Sequence, residues 1–334
     1  MEPVLSVVVA LVSDTTGAPD CAHLEPCVAA LTRQAGAPPM EIIVPVLPAT
    51  AGLAELRRKY PEARIVEIAD LRLYSGRLYS GQPGSREHHD ELRARGMAQA
   101  RGRIVALIED HGIAAEDWAA RVIERHGVDG IGGAAGIGGA IENGIDRPLN
   151  WAVYYCDFLR YQRPFPEGDS WTASDANVSY KRAALESVAP VWSEVFHESS
   201  VNTALRDRGE RIALSPAIVV YQHRQGLDFK GAMKERFVWG RSYAATRAGL
   251  AGNSKRIFWA VFAPALPVLM LARMTLIAWR KRRTMGAFIR AFPFTAALIV
   301  SWSWGELMGY STGKANVLGA QAAEAIARGV PNSP

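Results

Sequence analysis

Residues 103–112 read RIVALIEDHG, and how they are read decides the fold. Ile104, Val105, Ala106, Leu107 and Ile108 form one apolar run of strand length. Such a run marks a strand buried on both faces of an α/β sheet, and Gly112 stops it. Glu109, Asp110 and His111 therefore fall where the strand ends. Ligands of open α/β sheets gather at the carboxyl ends of strands, so these three polar side chains are expected to face a crevice. Two carboxylates and an imidazole can hold a divalent cation, and a cation can hold a diphosphate. The same tripeptide also suits a plain polar turn, so its flanks have to decide.

Upstream, residues 5–12 (LSVVVALV), 41–47 (EIIVPVL) and 63–68 (ARIVEI) read as strands, with Pro45 expected to end the second. Between them, residues 24–34 and 51–60 carry apolar residues at helical spacing. Strand, helix, strand, helix, strand is the pattern of a parallel sheet. A polar loop at 13–17 follows the first strand. Residues 71–85, with Gly76, Gly81, Gly84 and the fragments LYSGR and LYSGQ, read as a mobile loop beside the site. A helix over 87–100 then enters the central strand.

Downstream, a helix runs from Trp118 to His126, and residues 130–139 read GIGGAAGIGG. A dinucleotide fingerprint is one reading of this stretch. No clear strand precedes it and no long helix follows, which weighs against that reading. The aromatic segment 151–161 (WAVYYCDFLRY) reads as a helix that either lines an acceptor side or, the favoured reading, puts its rings in the core. Residues 195–209 (VFHESSVNTALRDRG) form an amphipathic helix with Val201, Ala204 and Leu205 on one face and Glu198 near its start. The helix dipole favours an anion there, and a carboxylate that merely caps the helix contributes about 0.3–1 kcal/mol. A strand over 211–221 precedes Gln222, His223 and Arg224.

A length of 334 residues suits about two domains, and the unevenly spaced Cys21, Cys27 and Cys156 read as free thiols of a reducing compartment. The net charge is +5, yet residues 224–290 hold fourteen Lys and Arg against two acids, leaving −7 for the rest. A basic block beside long apolar runs points to anionic lipid and away from nucleic acid. Residues 257–278 are apolar except for Arg273, and residues 291–304 carry no charge. A two-span hairpin would leave Arg280, Lys281, Arg282, Arg283 and Arg290 on the far side, against the positive-inside tendency. An interfacial or re-entrant pair, with Trp259, Trp279, Trp302 and Trp304 at headgroup depth, is therefore expected, with a soluble helical subdomain as the alternative. The opening Met1-Glu2-Pro3 lacks the basic start of a secretory signal, so the α/β part is expected in the cytoplasm.

Residues 92–111 (LRARGMAQARGRIVALIEDH) resemble the inverting glycosyltransferases of family 2, which have the GT-A fold. Arg95 stands at the family's arginine, Ala100 and Gly102 at its Ala-x-Gly step, and Asp110 in the middle of its acidic triplet. Gly96 replaces the usual asparagine, and residues 45–48 lack the aspartate that reads the nucleoside. Residues 171–182 (WTASDANVSYKR) resemble the acceptor-side strand, with Asp175, Asn177 and Arg182 at its informative places. Counting back from Gly209 puts Glu198 at the general base and His197 before it. Arg236, Trp239 and Arg241 resemble a loosened Arg-Trp clamp. The Gln-x-x-Arg-Trp spacing of polymerising synthases is absent, which argues against a processive polymerase.

The resemblance covers roughly residues 4–250. It implies a GT-A-like catalytic domain over 1–250 with a mostly parallel central sheet, membrane-associated helices over 251–313 and a tail over 314–334. It implies a Mg²⁺ or Mn²⁺ site at Glu109, Asp110, His111 and His223, and a donor diphosphate held by Arg95, Asp110 and Arg241. Asp175, Asn177, Arg182 and Trp239 would bind the acceptor, and Glu198 would be the base. The reaction would be hexosyl transfer from a UDP-, GDP- or dTDP-sugar to a lipid-linked or surface-glycan acceptor in polysaccharide biosynthesis, on membrane lipids. Two other classes compete: an inactive membrane scaffold of a glycan-assembly complex, and a nicotinamide reductase using the glycine-rich stretch.

Overall fold

The apolar runs of the first 110 residues form the parallel half of one sheet. The computed structural model describes residues 3–13, 19–71, 86–127, 131–249 and 253–313. The expected loops over 14–17 and 72–85, Gly130 and the tail after Gly313 lie outside the described residues. In chain order the elements are β1 (Leu5–Ala10), α1 (Leu24–Thr32), β2 (Met40–Val46), α2 (Leu53–Lys59), β3 (Ala63–Glu67), α3 (Arg86–Met97) and β4 (Ile104–Glu109). Then come β5 (Gly112–Ala114), α4 (Trp118–Gly127), β6 (Gly136–Asn143), α5 (Pro148–Phe158), β7 (Gly168–Asp169) and β8 (Asn177–Lys181). The chain continues through α6 (Arg182–Ser187), α7 (Ala189–Trp192), α8 (Glu198–Asp207), β9 (Ile212–Gln222), α9 (Phe229–Gly249), α10 (Asn253–Phe262), α11 (Leu266–Lys281) and α12 (Met285–Thr312).

Among the described residues the sheet runs β3-β2-β1-β4-β8-β6-β9-β5, with β7 also on β9. β3, β2, β1 and β4 are parallel, but β8 lies antiparallel to both β4 and β6, and β5 and β7 antiparallel to β9. The sheet is thus mixed and not mostly parallel. Strand and helix alternate only as far as β4; β8 is entered from a tight turn, with Asn177 N donating to Ser174 O at 3.0 Å, and not from a crossover helix.

Pro45 does not end β2. Pairing of β2 with β1 stops at Ile43, while pairing with β3 continues to Val46, so Pro45 lies where one side of β2 is already an edge. Gly96 lets α3 lie directly on these strands, because a Cβ there would stand 2.7 Å from Val8 Cγ1 and 2.8 Å from Pro45 Cγ. Gly112 does not stop the chain's strand structure either, since it opens β5 on β9. The glycine-rich stretch becomes β6, a central strand, and no phosphate-cradling turn into a helix follows it. A further apolar cluster joins Leu149, Tyr154 and Tyr155 of α5 with Met274 of α11 and with Phe288 and Leu298 of α12.

Candidate active site

β4 delivers Glu109, Asp110 and His111 to the carboxyl end of the parallel half. The Asp110 N–H donates to Ala10 O at 2.8 Å, continuing the ladder to β1. Its fully buried carboxylate turns back toward the end of β1 and accepts from the backbone N–H of Val12 at 3.3 Å, from the Ser13 hydroxyl, and from His111 Nδ1 at 3.1 Å. Burial works against the charge, but His111, Ser13 and Val12 more than offset it and hold the carboxyl at about 2. The other ring nitrogen of His111, Nε2, stands 3.3 Å from Glu109 Oε2. Burial disfavours a charged ring, yet a carboxylate at each nitrogen outweighs burial and pushes His111 up to about 9. Glu109 is likewise held below its ordinary value, burial being more than offset by His111 and Arg93.

α3 inserts a polar face beside this cluster. Arg93, 4% exposed, donates from Nη1 to Asp90 Oδ1 at 2.7 Å and places Nη2 3.0 Å from Asp175 Oδ2 and 3.4 Å from Glu109 Oε1. Charged groups are rarely buried unless paired, and here one guanidinium serves three carboxylates. Asp90 also ties in the start of α8: its Oδ2 lies 2.7 Å from His197 Nδ1, and its carbonyl accepts from Phe196 N at 3.0 Å. Glu198, the first residue of α8 and half-buried, is thereby brought close enough to act electrostatically on Arg93 and Asp175. Burial pushes Asp175 up to about 7, against Arg93 and with help from Glu198, Glu109 and Asp90. Tyr161, whose hydroxyl meets Thr172 Oγ1 at 3.3 Å, feels Glu198 and Asp175 as well.

Glu109, Asp110, His111, Asp175 and Glu198 are thus brought together. Arg95 is not: its guanidinium reaches Asp70 Oδ2 at 3.1 Å, on the other side of α3 from Arg93. Arg182 follows β8 beside Arg103, at the opposite end of β4 and about 20 Å from Glu109 at ~3.3 Å per residue. His223 donates its backbone N–H to His111 O at 2.7 Å, but its ring lines a separate hollow with Arg33, Glu116, Gly144 and Tyr221. Trp239 and Arg241 sit on α9. The Arg236 guanidinium lies 5.3 Å from the Trp239 ring and pairs with Asp157, and the Arg241 backbone packs on Gly305 and Gly309 of α12.

Asn177 is structural. Its Nδ2 donates to Ala140 O at 2.8 Å and Ile218 O at 3.1 Å, and its Oδ1 accepts from Trp118 Nε1 at 2.9 Å. These bonds pin the register shift between β6 and β9 at Gly139 and Ala140. A Cβ at Gly139 would stand 2.2 Å from Asn177 Nδ2. Asn177→Leu removes all three bonds in a buried setting, so urea unfolding should show a loss of about 3 kcal/mol or more. Unchanged stability would return Asn177 to the acceptor role.

Arg93 and Asp90 belong to the cluster without having been singled out for it in the sequence. Asp90 and Arg93 were findable, since residues three apart on a helix share a face.

No protein-family model and no curated protein matches the chain. Solved structures do. A mannosyltransferase from Pyrobaculum calidifontis, solved in complex with GDP-Man and Mn²⁺, is 14% identical, covers 92% of this chain and 88% of its own, and superposes with a TM-score of 0.52. Residues 1–349 of S. aureus TarS are 12% identical, with 94% and 92% covered and a TM-score of 0.43. At 14% identity the likeness to the mannosyltransferase establishes a shared fold.

Proposed function

We propose that the chain is a glycosyltransferase of the GT-A kind that moves a hexosyl group from a nucleotide sugar, with inversion, to a hydroxyl of a membrane-linked acceptor. The observation that carries this reading is the convergence of Glu109 and His111, from the end of β4, with Glu198, from the start of α8, around Arg93. The shared fold with a mannosyltransferase that was solved with GDP-Man and Mn²⁺ supports a nucleotide-sugar donor.

A divalent ion, Mg²⁺ or Mn²⁺, fits the donor set in a particular way. His111 Nε2 and Glu109 Oε2, 3.3 Å apart, would hold it, the ion displacing the proton that His111 otherwise keeps between its two carboxylates. Asp110 orients the ring through Nδ1, the usual task of a carboxylate behind a metal-binding histidine. Asp110 is therefore not a ligand in this reading, and neither is His223, whose ring stands beside Gly144. Among the described residues no group of three or more His, Cys, Asp or Glu could hold an ion, so a donor diphosphate would complete the shell. When bound, such an ion supplies a Lewis acid to the departing diphosphate.

The chain's own residues do the rest. Glu198 takes the acceptor proton from a hydroxyl within about 2.6–3.2 Å, and the α8 dipole favours the anion that does so. Arg93 holds Glu109 and Asp175 in place on the two sides of the site.

Thermal-shift titration with UDP-, GDP- and dTDP-sugars, each with Mn²⁺, Mg²⁺ or a chelator, tests the reading. One nucleotide class should raise the melting temperature when an ion is present, since ligand binding to the native state stabilises it by mass action. His111→Ala should remove the ion's contribution. An imidazole ligand favours Mn²⁺ over Mg²⁺. The absence of a shift with every donor and both ions would overturn the assignment.

A further inference from the structure

We infer that α10, α11 and α12 form a seat that lies in one leaflet of an anionic bilayer without crossing it, with the candidate site beside the seat. Residues 254–281 and 285–312 are each long and apolar enough to cross a membrane, and both are largely exposed. Length alone therefore permits a two-span hairpin. The contacts of α12 do not.

At its start, Thr284 O accepts from the Tyr155 hydroxyl at 3.1 Å, the Phe288 and Tyr155 rings meet at 5.1 Å, and Arg290 pairs with Asp146 at 3.1 Å. Midway, the Ser301 hydroxyl donates to Met233 O at 2.7 Å. Toward its end α9 and α12 touch backbone to backbone: a Cβ on Gly305 would stand 2.2 Å from Phe237 O, and one on Gly309 2.4 Å from Arg241 O. α12 is about 42 Å long at 1.5 Å per residue, against about 30 Å of hydrocarbon. Were it to cross, α9, whose residues 233–241 lie along residues 301–309 of α12, would be drawn in with it, taking Glu235, Arg236 and Arg241 into the hydrocarbon.

The link between α11 and α12 repeats the point. Lys281 Nζ donates to the carbonyls of Gln162 and, at 3.3 Å, Arg160; Arg283 Nη1 reaches Glu142 Oε1 at 2.7 Å; and Thr284 Oγ1 meets Gln162 Oε1 at 3.3 Å. The basic link thus stays on the side of the sheet. Gln162 follows Tyr161, whose hydroxyl meets Thr172 at 3.3 Å, so the link adjoins the segment that carries Asp175 of the site.

The outward faces fit a lipid surface. Phe258, Val261, Leu269, Leu276, Trp279 and Trp304 are exposed. The Arg282 guanidinium lies 5.9 Å from the Trp279 ring, a pair suited to headgroup depth. Lys255, Arg273, Arg280, Arg282 and Arg290 are exposed, while the only acid between residues 253 and 313 is the buried Glu306. A face that is apolar and one-signed calls for anionic lipid as its occupant. An acceptor carried by a lipid would then meet Glu198 at the membrane surface, a step that rests on the transferase reading; the seat does not.

The test uses the full chain with Cys21, Cys27 and Cys156 replaced, bearing either Gly286→Cys, which has open space at the start of α12, or Glu210→Cys on the α/β body. In sealed vesicles both should react with an impermeant maleimide from the same side. Reaction of Gly286→Cys from the opposite side alone would mean a spanning hairpin. In parallel, the wild-type chain should co-float with phosphatidylcholine/phosphatidylglycerol vesicles at least about tenfold more tightly than with phosphatidylcholine alone. Its tryptophans should be quenched by brominated lipid. A chain that stays off both vesicles, or buries this face in a dimer with itself, overturns the inference whatever the outcome of donor titration.

Discussion

Glu198→Gln should lower kcat for sugar transfer by about 10²–10⁴-fold while leaving donor binding unchanged. The amide keeps the shape of the side chain and removes only its ability to accept a proton. What the fold loses is an anion at the start of α8, about 0.3–1 kcal/mol, too little to unfold the chain. Loss of turnover without loss of structure can therefore be read as chemistry. Asp175→Asn is the companion variant, because Asp175 is a second carboxylate of the cluster that His111 does not hold. It is already paired with Arg93 and pushed up to about 7, so the neutral amide should retain much more activity. If Asp175→Asn were dead and Glu198→Gln active, the base would be Asp175. If both retained full turnover, no acid–base role would remain for the cluster. Product analysis by NMR completes the test, since retention of anomeric configuration would rule out single displacement on the face opposite the diphosphate.

The parts of this site that the sequence showed and the parts it hid differ in one physical respect. β4 was legible because an apolar run of strand length depends on composition alone, and Glu109, Asp110 and His111 follow from where it stops. Glu198 was legible because the amphipathic period of α8 fixes the start of the helix. Arg93 was hidden behind Arg95, two residues away and about 200° around α3 at 3.6 residues per turn. Matching by spacing chose the residue that points to Asp70, and the helix phase chose the other. Asp175 and Asn177 differ in the same way: one turns to Arg93, and the other stitches β6 to β9. The direction of β8 was hidden for a related reason, since a buried strand reads the same both ways. His223 follows the end of β9, where its backbone bonds to His111 and its ring stands beside Gly144.

Arg93→Met should lower stability by about 3–5 kcal/mol, the usual cost of removing one partner from a buried ionic group. Three carboxylates depend on this guanidinium, at 2.7 Å, 3.0 Å and 3.4 Å, and methionine replaces its volume but none of its charge. Thermal unfolding should shift down on the order of 10 °C for a chain of this size. Arg93→Lys separates charge from geometry: a lysine keeps the cation but cannot fork to Asp90 and Asp175 together, so it should recover part of the stability and little of the turnover. Arg93→Met combined with Asp175→Asn should be more stable than Arg93→Met alone, because one uncompensated carboxylate has been made neutral. The coupling energy of that double-mutant cycle measures how far the two sides of the site are held by one residue. A cycle that closes to zero, with Arg93→Met as stable as wild type, would mean that the carboxylates are balanced by other groups. Glu198 and Glu109 would then not owe their juxtaposition to Arg93.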